Sequence, residues 1–478
     1  MNRNTKYAVI IMILSSLLMS CEKYLENTQL PSGTIAGTDA FVSDNSTSAI
    51  VTGSFISLNN SGPFTGSSSA NIAYITGLYT DELKNISTAT FADAFYKNTI
   101  TSSRVGHWSD LYGKMYVINS TIEGIQNTTA TLYYKDQWLG ECYFIRALLY
   151  YYLVNLYGDV PLALSSDYRV NNTLSRAPQS QVYQQMITDL KRAQTLLSAD
   201  YKDGFGATTN NRVRPNQVVA TALLSKVYMY TAQWDSAEAQ ATAVINNSAY
   251  QLISPDQVFL ANSKETIWAL ATVSDTKVVE YGFYNNGMPA EITPPADLVD
   301  AYIVLVAMNS PLLNAFEPND TRYTNWVRST TVKATATTPA VTYYFPNKYK
   351  SATNGVEKEI VLRLADLYLT RAEARARQNN ISGAQSDLDA IRTRAGLPGT
   401  TASTQDELLT AISRERQVEL FTECGNRYFD LKRSGKIDDV MNVVAPLKGT
   451  SWSHYMQLWP IPPGDIVLNP NITPNPGY

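Results

Sequence analysis

The sequence predicts a mainly α-helical fold, in which pairs of helices pack against a loop-rich half that contains a few short strands. Three observations predict it. Apolar residues recur at steps of three and four through several stretches, which is the helical period. Two of these stretches, residues 361–398 and 215–247, have the length and the central break of a helix–turn–helix unit. Residues 249–359 between them lack the period and are rich in Tyr, Asn, Thr and Pro.

The clearer unit runs from Val361 to Pro398, and we predict that the rest of the chain is organised around it. Its first helix has one apolar face. We expect Ser382 to cap the second helix, with Gln385 completing a capping box. Gly396 and Pro398 are typical helix terminators. Units of this tetratricopeptide type cannot bury their apolar faces alone, so the chain must supply others.

Further helices are predicted earlier in the chain. One covers residues 107–126. The most regular carries an apolar stripe from Trp138 to Leu156 and ends at Gly158, a residue type favoured just after a helix. Pro215 is expected to open the helix of the second unit, because proline suits the first helical position.

The segments around the clearer unit give three more predictions. Thr266–Val273 suggests a strand. Thr404 and Glu407 form a capping box for a helix that runs to Cys424. The Arg and Glu residues of 414–423 could suggest a paired-carboxylate active site, but their helical spacing favours a ladder that ties neighbouring helices together.

The N-terminus predicts export and anchoring. Arg3 and Lys6 form a positive region, residues 8–19 are apolar, and Ser20 is a small residue directly before Cys21. The apolar run is too short for a stable transmembrane span, so we interpret residues 1–20 as a signal peptide. Leu18-Met19-Ser20-Cys21 resembles the bacterial lipobox, in which the cysteine is acylated. Several acyl chains, such as palmitate, give durable anchoring, which makes Cys21 the predicted lipid anchor.

Composition excludes several classes of function. A net charge of −4 gives no basic footprint for nucleic acid. His107 and His454 are the two histidines, which argues against a histidine-ligated metal centre. No nucleophile elbow, phosphate loop or dinucleotide fingerprint is present, so we expect neither cofactor nor catalysis. Cys142 and Cys424 either pair as a disulfide or lie buried as small apolar side chains, and spacing does not decide between them.

The candidate ligand site rests on aromatic residues in long loops. A sugar ring stacks its apolar C–H face on an aromatic ring, while Asn, Asp and Arg side chains satisfy its hydroxyl groups. Trp326 is the strongest single candidate, because indole has the largest flat face and Arg322 and Arg328 are close in sequence. The full predicted set is Phe95, Tyr96 and Asn98 in the first loop, and Tyr281, Tyr284, Asn285, Tyr323, Trp326 and Arg328 in the second.

Several motifs in order resemble one family. They are FIRALLYYYLVNLYGDVPL at Phe144–Leu162, Asp320-Thr321-Arg322, LRLADLYLTRAEARAR followed by AIRTRAGL, RERQVELFTECGNRYFDLKRSGK, and the closing LWPIPPGDIVLNPNITPNPGY. Together they resemble the SusD/RagB-like outer-membrane lipoproteins of Bacteroidota. At the tail this chain has Pro474 where the family often has Gln.

The resemblance implies a SusD-like domain at residues 44–478, joined to the anchor by a tether at 21–43. Its helical scaffold would cover about 105–250 and 360–440, and its ligand half about 44–104 and 251–359. Such proteins sit on the outer leaflet over a SusC-like TonB-dependent transporter and deliver oligosaccharides to it. In the RagB-like branch the ligand is a peptide. Peptide capture and a scaffold that binds no ligand therefore stay open as alternatives, whereas an enzyme is disfavoured.

Overall fold

The computed structural model describes residues 40–64, 66–271 and 277–478. The predicted signal peptide, Cys21 and most of the predicted tether lie outside them. The helices are α1 Asp44–Asn60, α2 Ile72–Tyr79, α3 Thr90–Tyr96, α4 His107–Asn127, α5 Lys135–Tyr157, α6 Tyr168–Asn171, α7 Gln179–Leu196, α8 Gln217–Tyr230, α9 Trp234–Ile245, α10 Val279–Tyr284, α11 Ser310–Leu313, α12 Thr321–Trp326, α13 Leu364–Arg377, α14 Ile381–Arg394, α15 Gln405–Leu420, α16 Asn426–Arg433, α17 Ile437–Leu447 and α18 Pro463–Leu468. The strands are β1 Leu83–Asn85, β2 Val160–Pro161, β3 Arg176–Ala177, β4 Thr266–Ala269, β5 Glu291–Ile292, β6 Val306–Met308, β7 Val327–Val332, β8 Val341–Pro346 and β9 Ile360–Arg363.

The helices form one continuous packed layer. In spatial order α4 packs on α5, α5 on α7, α7 on α8, α8 on α9, α9 on α13, and α13 on both α14 and α15. The two predicted helix pairs, α8/α9 and α13/α14, are therefore direct neighbours although more than a hundred residues separate them in sequence. Each pair buries its apolar face against the next, as repeat units must. The predicted mainly α-helical class with tetratricopeptide-like pairs is confirmed.

The most deeply embedded element is α5 rather than the 361–398 unit. Every residue from Gln137 to Tyr157 is buried, so this helix contacts neighbours on all sides. The few polar groups that it carries inward are paired. Arg146 binds Asp189 at 2.7 Å, and Glu141 accepts two hydrogen bonds from Arg214. The 361–398 unit lies farther along the helical layer, where α13 packs on α8, α9, α14 and α15, and its organising role stays a prediction.

The caps of two helices differ from those that the sequence predicts. The side chain of Asn380, rather than that of Ser382, caps α14 by accepting from the Gly383 N–H at 3.1 Å. Asn216 caps α8, so Pro215 precedes the cap and does not open the helix. The Thr404 capping box on α15 is confirmed. Asparagine outcompetes its neighbours at these ends because its amide oxygen reaches the free N–H groups of the first turn.

Most strands lie in the loop-rich half, whereas β2 and β3 pair with each other within the helical stretch. Leu83 of β1 pairs antiparallel with Met308 of β6, and β5, β7 and β8 form a second small sheet. The predicted strand at 266–273 is present as β4, which pairs with β9. Residues 361–363 belong to β9, so the first helix of the clearer unit begins only at Leu364. These short sheets fix the loops between them, and a small apolar cluster that includes Phe259, Leu312 and Trp326 lies beside them.

Buried ion pairs join the two halves. Glu419 of α15 accepts from Arg322 at 2.9 Å and Arg363 at 2.6 Å, and from Arg394. Burial alone would raise the pKa of Glu419, but the guanidinium groups of Arg394, Arg363 and Arg322 hold it well below its usual range. The 414–423 stretch thus acts as the predicted ladder, although its partners come from the loop-rich half as well as from neighbouring helices.

Two smaller findings concern the cysteines and the membrane. Cys142 and Cys424 are both free thiols, so the possible disulfide between them is absent. Within residues 40–64, 66–271 and 277–478, none of the helices has the length and apolarity needed to cross a membrane. The division of the chain into tether and a single domain stays a prediction.

Candidate functional site

Trp326, the strongest sequence-based candidate, is completely buried at 0% exposure. Its indole N–H donates to the Pro255 carbonyl at 2.8 Å. Phe259 lies edge-on with the two ring centroids 5.7 Å apart, and the Lys348 ammonium lies 5.0 Å from the ring. No indole face is left for a sugar, so the prediction is wrong for Trp326. Arg322, its expected helper, is equally buried and is held by Asp320 at 2.8 Å.

Phe95 and Asn98 also belong to the interior. The Phe95 ring packs on Trp459 with centroids 5.8 Å apart. Asn98 donates from Nδ2 to the Tyr79 carbonyl at 2.8 Å, and its φ of 57° places it in the left-handed region that asparagine tolerates. Both residues close the turn after α3. The prediction that they contact ligand is wrong for these two, since the loop folds back onto the core.

Tyr284 is a third buried aromatic residue. Its ring stacks on Tyr74 with centroids 6.1 Å apart, and its hydroxyl has no hydrogen-bond partner among the described residues. Burial raises the pKa of Tyr284 well above its ordinary value, and the nearby Glu280 adds to the shift. The residue stabilises the packing of α10 on α2 and presents no face to solvent.

Three predicted residues do come together. Arg328 on β7 donates to the Asn285 side-chain oxygen and, at 2.6 Å, to the Met288 carbonyl. Burial lowers the pKa of Arg328, an effect that the neighbouring Tyr281 opposes. Tyr281 is itself nearly buried, with Lys277 5.3 Å from its ring. The cluster stabilises the loop after α10. Two nitrogens of the Arg328 guanidinium already donate within the protein, which leaves fewer N–H groups to bind a ligand.

Tyr96 and Tyr323 remain half-buried, as a ligand-stacking residue requires. The Lys448 ammonium lies 5.2 Å from the Tyr96 ring. Burial raises the pKa of Tyr96, and Asp93 adds to the shift. Tyr323 packs edge-on against Phe316 with centroids 5.5 Å apart. Each ring contacts at least one neighbour and is partly exposed.

Sequence reasoning missed other half-exposed aromatic rings in the same half of the molecule. They lie on three segments, 84–96, 281–305 and 327–346, which are joined edge to edge. Besides the β1–β6 pairing, Ile86 donates its N–H to the Leu305 carbonyl at 2.9 Å, and Asn286 donates to the Tyr302 carbonyl at 2.7 Å. The half-exposed groups of these segments, here called the loop face, are Lys84, Phe91, Tyr96, Phe283, Tyr302 and Tyr343.

The loop face combines open aromatic rings with fixed backbone. Tyr343 on β8 lies under the Lys84 ammonium, 5.5 Å from ring centroid to nitrogen. The pairing of β8 with β7 holds Tyr343 opposite Thr330. Tyr302 is held through its carbonyl by Asn286. Such rings can stack on flat apolar surfaces, and the Lys84 ammonium can donate to hydroxyl or carboxylate oxygens. In the described part of the chain no group of His, Cys, Asp and Glu residues is arranged to hold a metal ion.

Sequence comparison identifies two matching families along the chain. A model of the SusD family matches residues 313–478. A model described as starch-binding and associating with the outer membrane matches residues 60–229. The two matches lie on either side of residues 230–312.

Individual proteins give the same result. SusD-like protein P2 of Formosa agariphila is 25% identical over an alignment of 528 positions, which covers 99% of this chain and 100% of that protein. The starch-binding protein SusD of Bacteroides thetaiotaomicron is 35% identical over 123 residues, or 25% of this chain and 21% of that protein. A solved laminarin-binding SusD-like protein superposes with a TM-score of 0.72 at 25% identity, covering 91% of this chain and 99% of that one. The fold, the two family matches and these relatives show that the chain belongs to the SusD/RagB-like family of Bacteroidota.

Proposed function

We propose that this protein is a cell-surface lipoprotein that captures oligosaccharide on its loop face and delivers it to a SusC-like TonB-dependent transporter. The single observation that carries the proposal is the set of half-exposed rings held on the braced segments 84–96, 281–305 and 327–346. Starch and laminarin are the glycans that the names of two similar proteins give for those proteins. Both are polymers of glucose, so glucans are the first ligands to test.

The chemistry of the loop face suits a glycan better than an extended peptide. Sugar rings offer flat C–H faces to Tyr302 and Tyr343, and Lys84 beside Tyr343 can donate to a hydroxyl group. Peptide capture relies on main-chain pairing along a strand edge. The β7 strand has partners on both sides in its sheet, which leaves fewer free edges for such pairing. Catalysis is not part of the proposal.

Membrane attachment is assigned to Cys21. In the Cys21→Ala variant the exported protein should no longer partition with the membrane fraction, because its acyl chains are lost. The measurement is immunoblotting of membrane and soluble fractions after a high-salt wash. A variant that still fractionates with the outer membrane in a strain without the transporter would contradict the anchor.

The ligand experiment uses the soluble protein that lacks residues 1–21. Laminarin, starch and a tryptic peptide mixture are compared by affinity electrophoresis and calorimetry. Tyr302→Ala and Tyr343→Ala should each weaken glucan binding by about 1–3 kcal/mol, as removal of a buried aromatic anchor does. Tyr133→Ala is the matched control, since Tyr133 is 82% exposed and lies outside the loop face. Binding of the peptides alone would favour the RagB-like alternative, and binding of neither would favour the scaffold.

A further inference from the structure

A second pocket lies away from the loop face. It has a volume of about 280 Å³ and forms where α4, the segment 161–174 and α18 with the chain after it meet. Tyr112 and Trp108 contribute from α4, and Asp465 and Asn469 from the C-terminal segment. None of its lining residues belongs to segments 84–96, 281–305 or 327–346, so it is separate from the site already described.

Hydrogen bonds hold the pocket wall in place. The Tyr112 hydroxyl donates to the Pro161 carbonyl at 2.7 Å. Asn119 donates from Nδ2 to the Ala163 carbonyl at 2.9 Å, and its Oδ1 accepts from Arg146 at 3.1 Å. These bonds tie α4 and α5 to the segment that follows β2. Because the pocket wall is already ordered in the absence of ligand, less conformational entropy is lost on binding.

The fold leaves one buried polar atom of the pocket without a partner among the described residues. Asn171 donates from Nδ2 to the Ser165 carbonyl at 2.8 Å, but its Oδ1 has no donor within the residues that the structure describes. A ligand hydroxyl would supply that donor after a small rotation of the amide. Asn172 beside it is exposed. Asp465 is half-buried next to Trp108, and burial raises the pKa of its carboxyl group.

Two tyrosine rings flank the opening. Tyr116 is 56% exposed and Tyr168 is 69% exposed, and both line the pocket. Neither ring packs against another aromatic ring in the described part of the chain. Leu468 adds an exposed apolar side chain at the rim. Large exposed apolar groups that gather around a formed pocket indicate a binding surface.

The chemistry of the lining selects one ligand class. Open aromatic rings, amide groups and a carboxylate suit a ring that offers apolar faces and hydroxyl donors. No lysine or arginine occurs among the described lining residues, so a phosphate or carboxylate ligand would lack a counter-charge next to Asp465. Small-molecule sites usually exceed about 300 Å³, so a pocket of this volume takes one ring rather than a chain.

We propose that this pocket is a second carbohydrate subsite, which holds a single neutral pyranose ring of a glycan. This inference rests on the proposed glycan-binding function. It adds a second place, on the helical layer, at which the same glycan or another glycan molecule contacts the protein. A subsite of this kind would raise the avidity for a long polysaccharide without a new strong site.

The test uses methyl β-D-glucopyranoside as the probe, with saturation-transfer NMR on the soluble protein and a crystal soaked in the same glucoside. The sugar should bind in the pocket between Tyr116 and Tyr168, with a dissociation constant on the order of 1 mM. Tyr168→Ala should weaken binding about tenfold, the equivalent of about 1.4 kcal/mol. Tyr133→Ala, which removes an exposed tyrosine outside the pocket, should leave it unchanged. The corresponding methyl glucuronide should bind more weakly, because its carboxylate meets Asp465 without a counter-charge.

The outcomes separate this proposal from the proposed function. Equal binding of the glucoside by wild type and Tyr168→Ala would overturn the subsite, even if laminarin or starch binding still depended on Tyr302 and Tyr343. Loss of transporter co-purification in Tyr168→Ala, with glucoside binding intact, would also overturn it and make the pocket a protein contact. If no polysaccharide bound to the wild type, the proposed function would fail, and the glucoside titration with its two variants would still decide the pocket. Melting curves of the variants control for folding.

Discussion

The helical layer and the loop-rich half bury their aromatic residues by different rules. In α4 of the helical layer burial follows the helical period: Trp108 and Met115, seven residues apart, are buried, whereas Tyr116 is 56% exposed. In the loop-rich half burial depends on contacts between residues distant in sequence, which no periodic pattern of the sequence predicts. Trp326 is fully buried at the end of the six-residue helix α12, whereas Tyr343, on the nearby strand β8, stays half-exposed. A long loop rich in aromatic residues is therefore not by itself a binding surface.

The difference has a physical cause. Buried charges gather at the junction of the two halves, and flat aromatic rings shield them from water. The cations of Lys348 and Arg363 lie 5.0 and 5.9 Å from the Trp326 ring. Glu423 accepts a hydrogen bond from Arg363 at 2.7 Å and also pairs with Lys348. The Trp326 ring therefore helps to stabilise the buried cations of this ion network.

The first prediction uses the most buried aromatic residue of the loop-rich half. Trp326→Ala should lower the free energy of unfolding by about 3–5 kcal/mol, because it leaves a large cavity beside buried cations. Thermal and urea unfolding followed by circular dichroism measure it. A melting curve like that of the parent would mean that the two halves do not differ as described, and that Trp326 is available to ligand.

The second prediction sharpens the rule for the helical layer. Leu388 of α14 is fully buried, whereas Tyr368 of α13 is half-exposed with Arg371 5.6 Å from its ring. Leu388→Ala should cost about 2–5 kcal/mol. Tyr368→Ala should cost less, because part of its ring already contacts water. Equal losses in urea unfolding would show that the α13 face is buried more deeply than its exposure indicates.

The third prediction concerns pH and a carboxyl group at the start of the loop-rich half. Burial raises the pKa of Glu82 to about 8, and Asp81 adds to the shift while Arg427 and Lys348 oppose it. The unfolded chain ionises this group near its ordinary value of 4.5, so between about pH 5 and 7 unfolding releases a proton. Glu82 therefore makes stability fall as pH rises through this window, by at most about 1.4 kcal/mol per pH unit.

Glu82→Gln removes that contribution and keeps the shape of the side chain. The pH dependence of the unfolding free energy between pH 5 and 7 should become flatter than in the parent. Burial lowers the pKa of Lys432 and of Lys448 to about 7, and these two groups act in the opposite direction only above that value. An unchanged slope below pH 7 would show that Glu82 is ionised in the folded protein.

The limits of sequence-based prediction follow the same division. The helix pairs, the capping box at Thr404 and the Arg/Glu ladder were predictable, because period and local hydrogen bonding determine them. The cap of α14 was not, since Asn380 and Ser382 offer similar signals two residues apart. The site was least predictable. Nothing local distinguishes buried Tyr284 from half-exposed Tyr302, and the contacts that decide between them join residues distant in sequence.

The most direct test measures both stability and glucan affinity for variants of two kinds of aromatic residue. These are the half-exposed rings of the loop face and the buried ring of Trp326. Tyr343→Ala and Tyr302→Ala should lose about 1–3 kcal/mol of affinity for whichever glucan the wild type binds, with melting curves close to that of the parent. Trp326→Phe should show the reverse, a lower melting temperature with affinity retained in the folded protein. Calorimetry at a temperature at which all variants are folded gives the affinities, and thermal unfolding gives the melting temperatures. Unchanged affinity in Tyr343→Ala and Tyr302→Ala, or a loss confined to Trp326→Phe, would contradict the assignment of ligand binding to the loop face.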